Sequence, residues 1–198
     1  MSLLRPVLVT ALLAATLATL LAAVAPRAVA AAAPAPSAAC PGADVLPAAG
    51  TAHEAGQALL CLVNRERARR HLAPLRAHAR LARAAEAHSS RMVRLHAFTH
   101  ATPGGPTLVA RVRRAGYLRA GRPTWLGENI AWGAGARASA RSILRGWMAS
   151  PPHRANVLAP RFREVGIGIA AGAPARLRSA SPAATVTADF GRRGPRRR

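Results

Sequence analysis

The sequence predicts an α+β fold in which a small antiparallel sheet lies between helical layers, and three observations carry the prediction. Two long stretches in the N-terminal half repeat apolar residues at three- and four-residue spacing, as helices do. Two segments near the C-terminus alternate apolar with polar or glycine residues, as strands do. No strand–helix–strand rhythm links them, which removes the parallel α/β classes. About four helices and three short strands result.

At 198 residues, 51% of them hydrophobic, the chain can bury the core of one ordinary domain. Its 29 basic residues are all arginine, and the seven acids are Asp44, Glu54, Glu66, Glu86, Glu128, Glu164 and Asp189, giving a formal net charge of +22. Lysine is absent while Ala, Gly and Pro abound, which points to a GC-rich genome choosing codons as well as to any binding role. Whatever its origin, such a field attracts anionic polymers and surfaces.

Residues 1–30 read as a secretory signal peptide. Arg5 precedes an apolar run from Val7 to Val24, and Ala28-Val29-Ala30 supplies the small-x-small pattern for cleavage near Ala30. The run also approaches bilayer-spanning length, so retention as an anchor stays open. Residues 31–52 form an Ala/Pro-rich linker holding Cys40, which lies too far past the apolar run to be a lipidation site. In an exported chain the pair Cys40 and Cys61 favours a disulfide, with two buried thiols as the alternative.

The compact domain spans 53–191. Leu59, Leu60, Val63 and Arg67 recur at helical spacing until Pro74, where the missing N–H ends the first helix. A second helix, about Arg76 to Leu95, carries Leu81, Ala85, His88, Met92 and Leu95 on one stripe. His88 on that stripe reads as a packed, hydrogen-bonded core histidine, while His78 and His96 read as solvent-facing. Phe98-Thr99-His100 and Pro103-Gly104-Gly105 form a loop. A short helix from Thr107 to Ala115 is closed by Gly116 as a left-handed cap. Gly127 to Trp132 forms a short strand, and Ser139 caps a helix that buries Ile143, Leu144 and Trp147 before Pro151-Pro152 stops it. Val165, Ile167 and Ile169 alternate with Gly166 and Gly168, and Val186, Ala188 and Phe190 alternate with Thr185, Thr187 and Asp189. These are two strands joined by a loose polar connection. Residues 192–198, charged and without apolar anchors, read as a disordered tail.

Chemistry-bearing residues concentrate between Trp125 and Pro160, where Glu128, His153 and all three tryptophans sit among glycines and prolines. Turns rather than regular elements would aim side chains there. Trp125 and Trp132 read more readily as packed side chains than as a cavity lining.

An ordered series of short motifs then carries a resemblance. It runs through Leu62-Val63-Asn64 with Arg67, Leu72-Ala73-Pro74-Leu75, Ala87-His88-Ser89 with Met92, Phe98-Thr99-His100 and Arg111 with Gly116-Tyr117. It continues through Gly127-Glu128-Asn129-Ile130-Ala131, Trp147 to Leu158, Phe162 to Gly168 and Asp189-Phe190-Gly191. The chain resembles a bacterial member of the CAP superfamily, the cysteine-rich secretory, antigen 5 and pathogenesis-related proteins, or SCP-like extracellular domains.

That resemblance implies a three-layer α-β-α sandwich and a surface cavity lined by two histidines and two acids. His100, Glu128 and His153 match three of the four positions, Ser150 stands where the second acid would be, and Asn129 lies beside the cavity. It implies Zn²⁺ or another divalent cation on the two imidazoles, with Glu128 as ligand or as base for a bound water. Without the resemblance, three separate loops give no reason to bring these residues together, and no His-Glu-x-x-His helix is present. Hydrogen bonding between loops, with no metal, is the alternative. Asn64 and Arg67 match structural positions, and Glu164, beside Arg163 and near Arg161, reads as an ion-pair partner.

Three functions follow as expectations. The favoured one is a secreted or envelope-associated binding module for a lipid, an envelope component or a partner protein. Next comes a metal-dependent hydrolase, with Glu128 and His153 as catalytic candidates, since neither a Ser-His-Asp set nor a cysteine nucleophile is visible. The third is an arginine-driven binder of anionic polymers such as wall polymers. Specific nucleic-acid binding is not expected, because aromatics are too few for a base-stacking platform.

Overall fold

A computed structural model describes residues 39–177 and 181–196. The signal-peptide segment, the linker up to residue 38 and the last two tail residues lie outside the described residues. Among those described, no helix is long and apolar enough to cross a membrane.

The helices are α1 (Ala52–Ala68), α2 (Ala79–Leu95), α3 (Leu108–Arg114), α4 (Ala140–Ala149) and α5 (Pro151–Leu158). The strands are β1 (Arg76–Ala77), β2 (Thr124–Ala134), β3 (Glu164–Ala171) and β4 (Ala183–Arg193), in the sheet order β1-β3-β4-β2. Strands β3, β4 and β2 form the expected antiparallel body, and the two-residue β1 adds a parallel edge beside β3, so the whole sheet is mixed. One face packs α1, α4 and α5 around Leu59, Val63, Trp147, Val165, Val186 and Phe190. The other carries α2 and α3, with Leu81, Val112 and Tyr117 between them.

Helices on both faces explain the pattern of β4. Every residue from Ala183 to Gly191 is buried, so Thr185, Thr187 and Asp189 face α2 rather than water. The buried hydroxyls need partners, and Ser89 Oγ of α2 donates to Gly168 O (3.0 Å) and bonds Thr187 Oγ1 at 2.8 Å.

Four local readings change. The second helix starts at Ala79, because Arg76 and Ala77 pair with Glu164 and Val165, and His78 caps it by accepting from Arg80 N at 3.2 Å. His78 also packs edge-on against Tyr117 and lies 3.3 Å from Arg193, so it is engaged rather than free in solvent. Pro151-Pro152 end α4 but open α5, where a first-turn proline lacks only a donor the helix does not need. Finally, β4 runs through Arg193, so Arg192 and Arg193 belong to the sheet and not to a tail.

Two polar residues of α1 tie the layers together. Arg67, fully buried, donates to the carbonyls of Ala73 (2.9 Å), Val157 (2.8 Å) and Ala159 (3.1 Å), fixing both ends of a loop-rich region to the helix. Asn64 exchanges two bonds with the backbone of Leu75, at 2.8 and 3.0 Å.

Cys40 and Cys61 form a disulfide across a separation of 21 residues, stapling the segment before α1 to that helix. In the chain-entropy account a loop of this size stabilises by about 3 kcal/mol. The Cys40→Ser/Cys61→Ser variant should lose about that much in urea unfolding, and an unchanged midpoint would show that the crosslink does not constrain the unfolded chain.

Candidate functional site

Glu128 sits on β2 directly opposite Asp189 of β4, so the fold sets two carboxylates side by side inside the sheet–α2 layer. Both are buried. Arg111 of α3 answers them. Its guanidinium, also buried, pairs with Glu128 Oε2 and donates to the carbonyls of His100 and Pro106, each at 3.1 Å. The second oxygen of Glu128 meets His100 Nδ1 at 2.8 Å. One arginine therefore holds the 100–106 loop against β2.

His153 approaches from α5. Asn129, fully buried, donates to His153 O at 2.9 Å, and Asn156 donates to Glu128 O (3.1 Å) and to Asn129 Oδ1 (2.9 Å). Burial, and then the charge of His100, hold the His153 imidazole below its ordinary range, so it stays neutral at pH 7.

The fold brings the sequence candidates His100, Glu128 and His153 into one neighbourhood, but it does not assemble the three-donor zinc set. Both oxygens of Glu128 are engaged, and among the described residues no group of three or more His, Cys, Asp or Glu is placed to hold an ion. Glu128 orients His100 through Nδ1 and leaves Nε2 facing outward.

Beside this network a cleft of about 670 Å³ runs along the free edge of β2. Its lining includes Phe98, Ile130, Trp132, Ile143 and Trp147, with His153 and Ser150 at one side, but neither His100 nor Glu128. Asn129 stays behind the wall. Trp132 is 37% exposed and lines the cleft, and Trp125 is 44% exposed with Arg192 over its ring; of the three tryptophans only Trp147 is packed. Both readings of packing fail because β2 is an edge strand whose outer side no helix covers.

Arg111 and Asp189 were not legible as site residues. Asp189 sits in what reads as the polar half of an alternating strand, and only the β2–β4 register sets it against Glu128. His88 is packed as expected but lacks the expected hydrogen bond: among the described residues neither ring nitrogen has a partner, and neither oxygen of Asp189 does. Burial, then the carboxylate of Glu128, push Asp189 well above the usual carboxylate range, with Arg111 pulling the other way. Because the folded chain holds this proton more tightly than the unfolded chain does, stability falls as pH rises from the unfolded value near 4 towards the folded one. Asp189→Asn should therefore stabilise by about 1–3 kcal/mol at neutral pH and by almost nothing below about pH 4. Equal gains at both pH values in urea titrations would sink this account.

Comparison with known proteins fits the architecture. The model of the "CAP: Cysteine-rich secretory protein family" matches residues 60–179. The uncharacterized protein YkwD of Bacillus subtilis (strain 168) is 33% identical over 109 residues, covering 54% of this chain and 39% of that protein. An extracellular protein containing an SCP domain from Bacillus anthracis str. Ames superposes with a TM-score of 0.57 at 26% identity, over 73% of this chain and 43% of that one. An outer surface protein of Borrelia burgdorferi does so at 0.53 and 18%, over 71% and 93%, a likeness of fold. The chain thus spans less than half the length of the two Bacillus proteins. With the family model covering most of the described residues and the sandwich layers in place, the chain belongs to the cysteine-rich secretory protein family, CAP.

Proposed function

We propose that this domain is an extracytoplasmic binding module whose β2-edge cleft takes an anionic amphiphile such as a lipid. The observation that carries this reading is the cleft itself. Apolar and aromatic side chains form its floor, Phe98 (46% exposed) and Trp132 stand unburied at its walls, and Arg137, Arg145 and His153 supply polar or cationic contacts. Large exposed aromatics beside a concave apolar surface are costly in water and suit an apolar tail, while the arginines suit its head. Export is supported by the disulfide, by the N-terminal signal pattern and by relatives described as an extracellular and an outer surface protein.

Titrating oleate against tryptophan fluorescence tests the reading. Phe98→Ala/Trp132→Ala, at two exposed positions and with folding checked by thermal melts, should weaken binding roughly tenfold or more, the value of one buried aromatic. Unchanged affinity would reject the cleft.

A divalent ion is a second reading, suggested by the two histidines, His100 and His153, that flank Glu128 and Asn129. Such an ion would rest on two imidazoles, with Glu128 holding His100 in place. Calorimetry with zinc chloride should show heat that disappears in His100→Ala/His153→Ala and fades as acid protonates the imidazoles. Heat surviving in that variant would locate the ion elsewhere. Hydrolysis finds less support, because Glu128 is committed to Arg111 and His100.

A further inference from the structure

A larger hollow, about 810 Å³, lies at the other end of the sheet and shares no residue with the cleft. The topology builds it. Arg76 opens β1, Arg163 precedes β3, Arg192 and Arg193 end β4, and Arg119 and Arg122 lead into β2, so the ends of all four adjacent strands deliver arginines to one place.

The only acid in the lining is Glu164, and it is already satisfied. Arg193 Nη2 donates to Oε1 at 2.8 Å and Tyr117 Oη to Oε2 at 2.6 Å. Burial alone would raise its pKa, yet the bonds from Arg193 and Tyr117 hold the carboxyl below the usual range, so it stays ionised and spent on those two groups. Glu164 is thus the ion-pair partner the sequence suggested, with Arg193 rather than Arg161 or Arg163 as its cation. The side chains of Arg76, Arg119 and Arg122 have no hydrogen-bond or ion-pair partner among the described residues. Two other guanidiniums lie over aromatic rings, Arg193 over Tyr117 (4.8 Å) and Arg192 over Trp125 (5.6 Å). Stacking fixes a guanidinium plane and leaves its N–H edges to bond.

Arginines outnumber acids throughout the chain, 29 to seven, so what sets the basin apart is the convergence of its guanidiniums and not their lack of pairing. Asp44, Glu66 and Glu128 each meet an arginine. Six guanidiniums converging on one hollow whose single carboxylate is already bonded mark a place suited to counter-charge from outside. The guanidinium fork matches phosphate oxygens two at a time, and a hollow of about 810 Å³ has room for more than a single phosphate.

We infer that this arginine basin, independent of the cleft, is a binding site for a ligand bearing adjacent phosphate groups, either a free oligophosphate chain or the diphosphate head of a membrane lipid.

Calorimetry of the full chain with inorganic tripolyphosphate tests it, at several salt concentrations because phosphate contacts release counterions. Arg119→Ser/Arg122→Ser removes two exposed, unpartnered guanidiniums and should weaken binding roughly tenfold or more. Arg113→Ser/Arg176→Ser removes the same charge from exposed positions outside the basin and should change affinity by less than about twofold. Thermal melts verify that both variants are folded. Equal weakening in the two variants, or none in the first, overturns the site and leaves only the field of the whole protein. Co-sedimentation with phosphatidylcholine vesicles, plain or doped with a polyprenyl diphosphate, separates the sources. Retention on doped vesicles alone, lost in Arg119→Ser/Arg122→Ser, identifies a lipid head, and tripolyphosphate binding without retention identifies a soluble chain. Binding of neither probe overturns the inference.

Discussion

Replacing Arg111 with alanine should destabilise the domain by about 3–5 kcal/mol, the usual consequence of removing one member of a buried ion pair. The guanidinium is the cation facing two opposed carboxylates, Glu128 and Asp189, and it also bonds the carbonyls of His100 and Pro106. Without it, Glu128 keeps a buried charge with only His100 against it, and the 100–106 loop loses two ties. Urea unfolding measures the loss, and limited proteolysis should report cleavage near residues 100–106 first. Arg111→Lys keeps the charge but not the fork, so an intermediate loss is expected. A loss under 1 kcal/mol in the alanine variant would show that water reaches these groups and that the pair is not buried in solution.

Gly168→Ala should be comparably damaging, at about 3 kcal/mol or more, although it adds a single methyl group. Strand β3 lies so close under α2 that a Cβ at Gly168 would overlap the backbone of Ala85 and Glu86, and one at Gly166 would overlap that of Leu81 and Ala82. Backbone cannot swing aside as a side chain can. Gly146, in α4 with open space around its missing Cβ, supplies the contrast, since Gly146→Ala should stabilise by about 0.5–1 kcal/mol. Thermal melts of the two alanine variants decide it. A Gly168→Ala protein melting with the wild type would mean that α2 can lift off the sheet.

These glycines show how much the sequence made legible and where it stopped. The alternation of Gly166 and Gly168 with Val165, Ile167 and Ile169 identified β3 as a strand, and its glycine face is the imprint of α2. The helical stripes of α2 and α4 were equally plain, because a periodic apolar face is a local property. Strand β1 was not, since two residues carry no period and its pairing with Glu164 and Val165 is a tertiary event. The site divides in the same way. His100, Glu128 and His153 were named through motif resemblance, and the fold brings them near one another through Arg111, Asn129 and Asn156. Asp189 stayed hidden because polarity in an alternating strand suggests water, and only a second helical layer reverses that inference. The commitment of Glu128 to Arg111 likewise needed coordinates, since seventeen residues of sequence separate the two.

The staple between Cys40 and Cys61 has a mechanical side. Tension arriving from the N-terminal direction passes through the sulfur bridge into the middle of α1, and the residues between the two cysteines carry none of it. Reduction would release the segment 41–51 ahead of α1 as slack, on the order of 35 Å of extended chain, while residues 52–61 stay in the helix. A domain held by its leading end would then hang on a longer leash in a reducing medium than in an oxidising one.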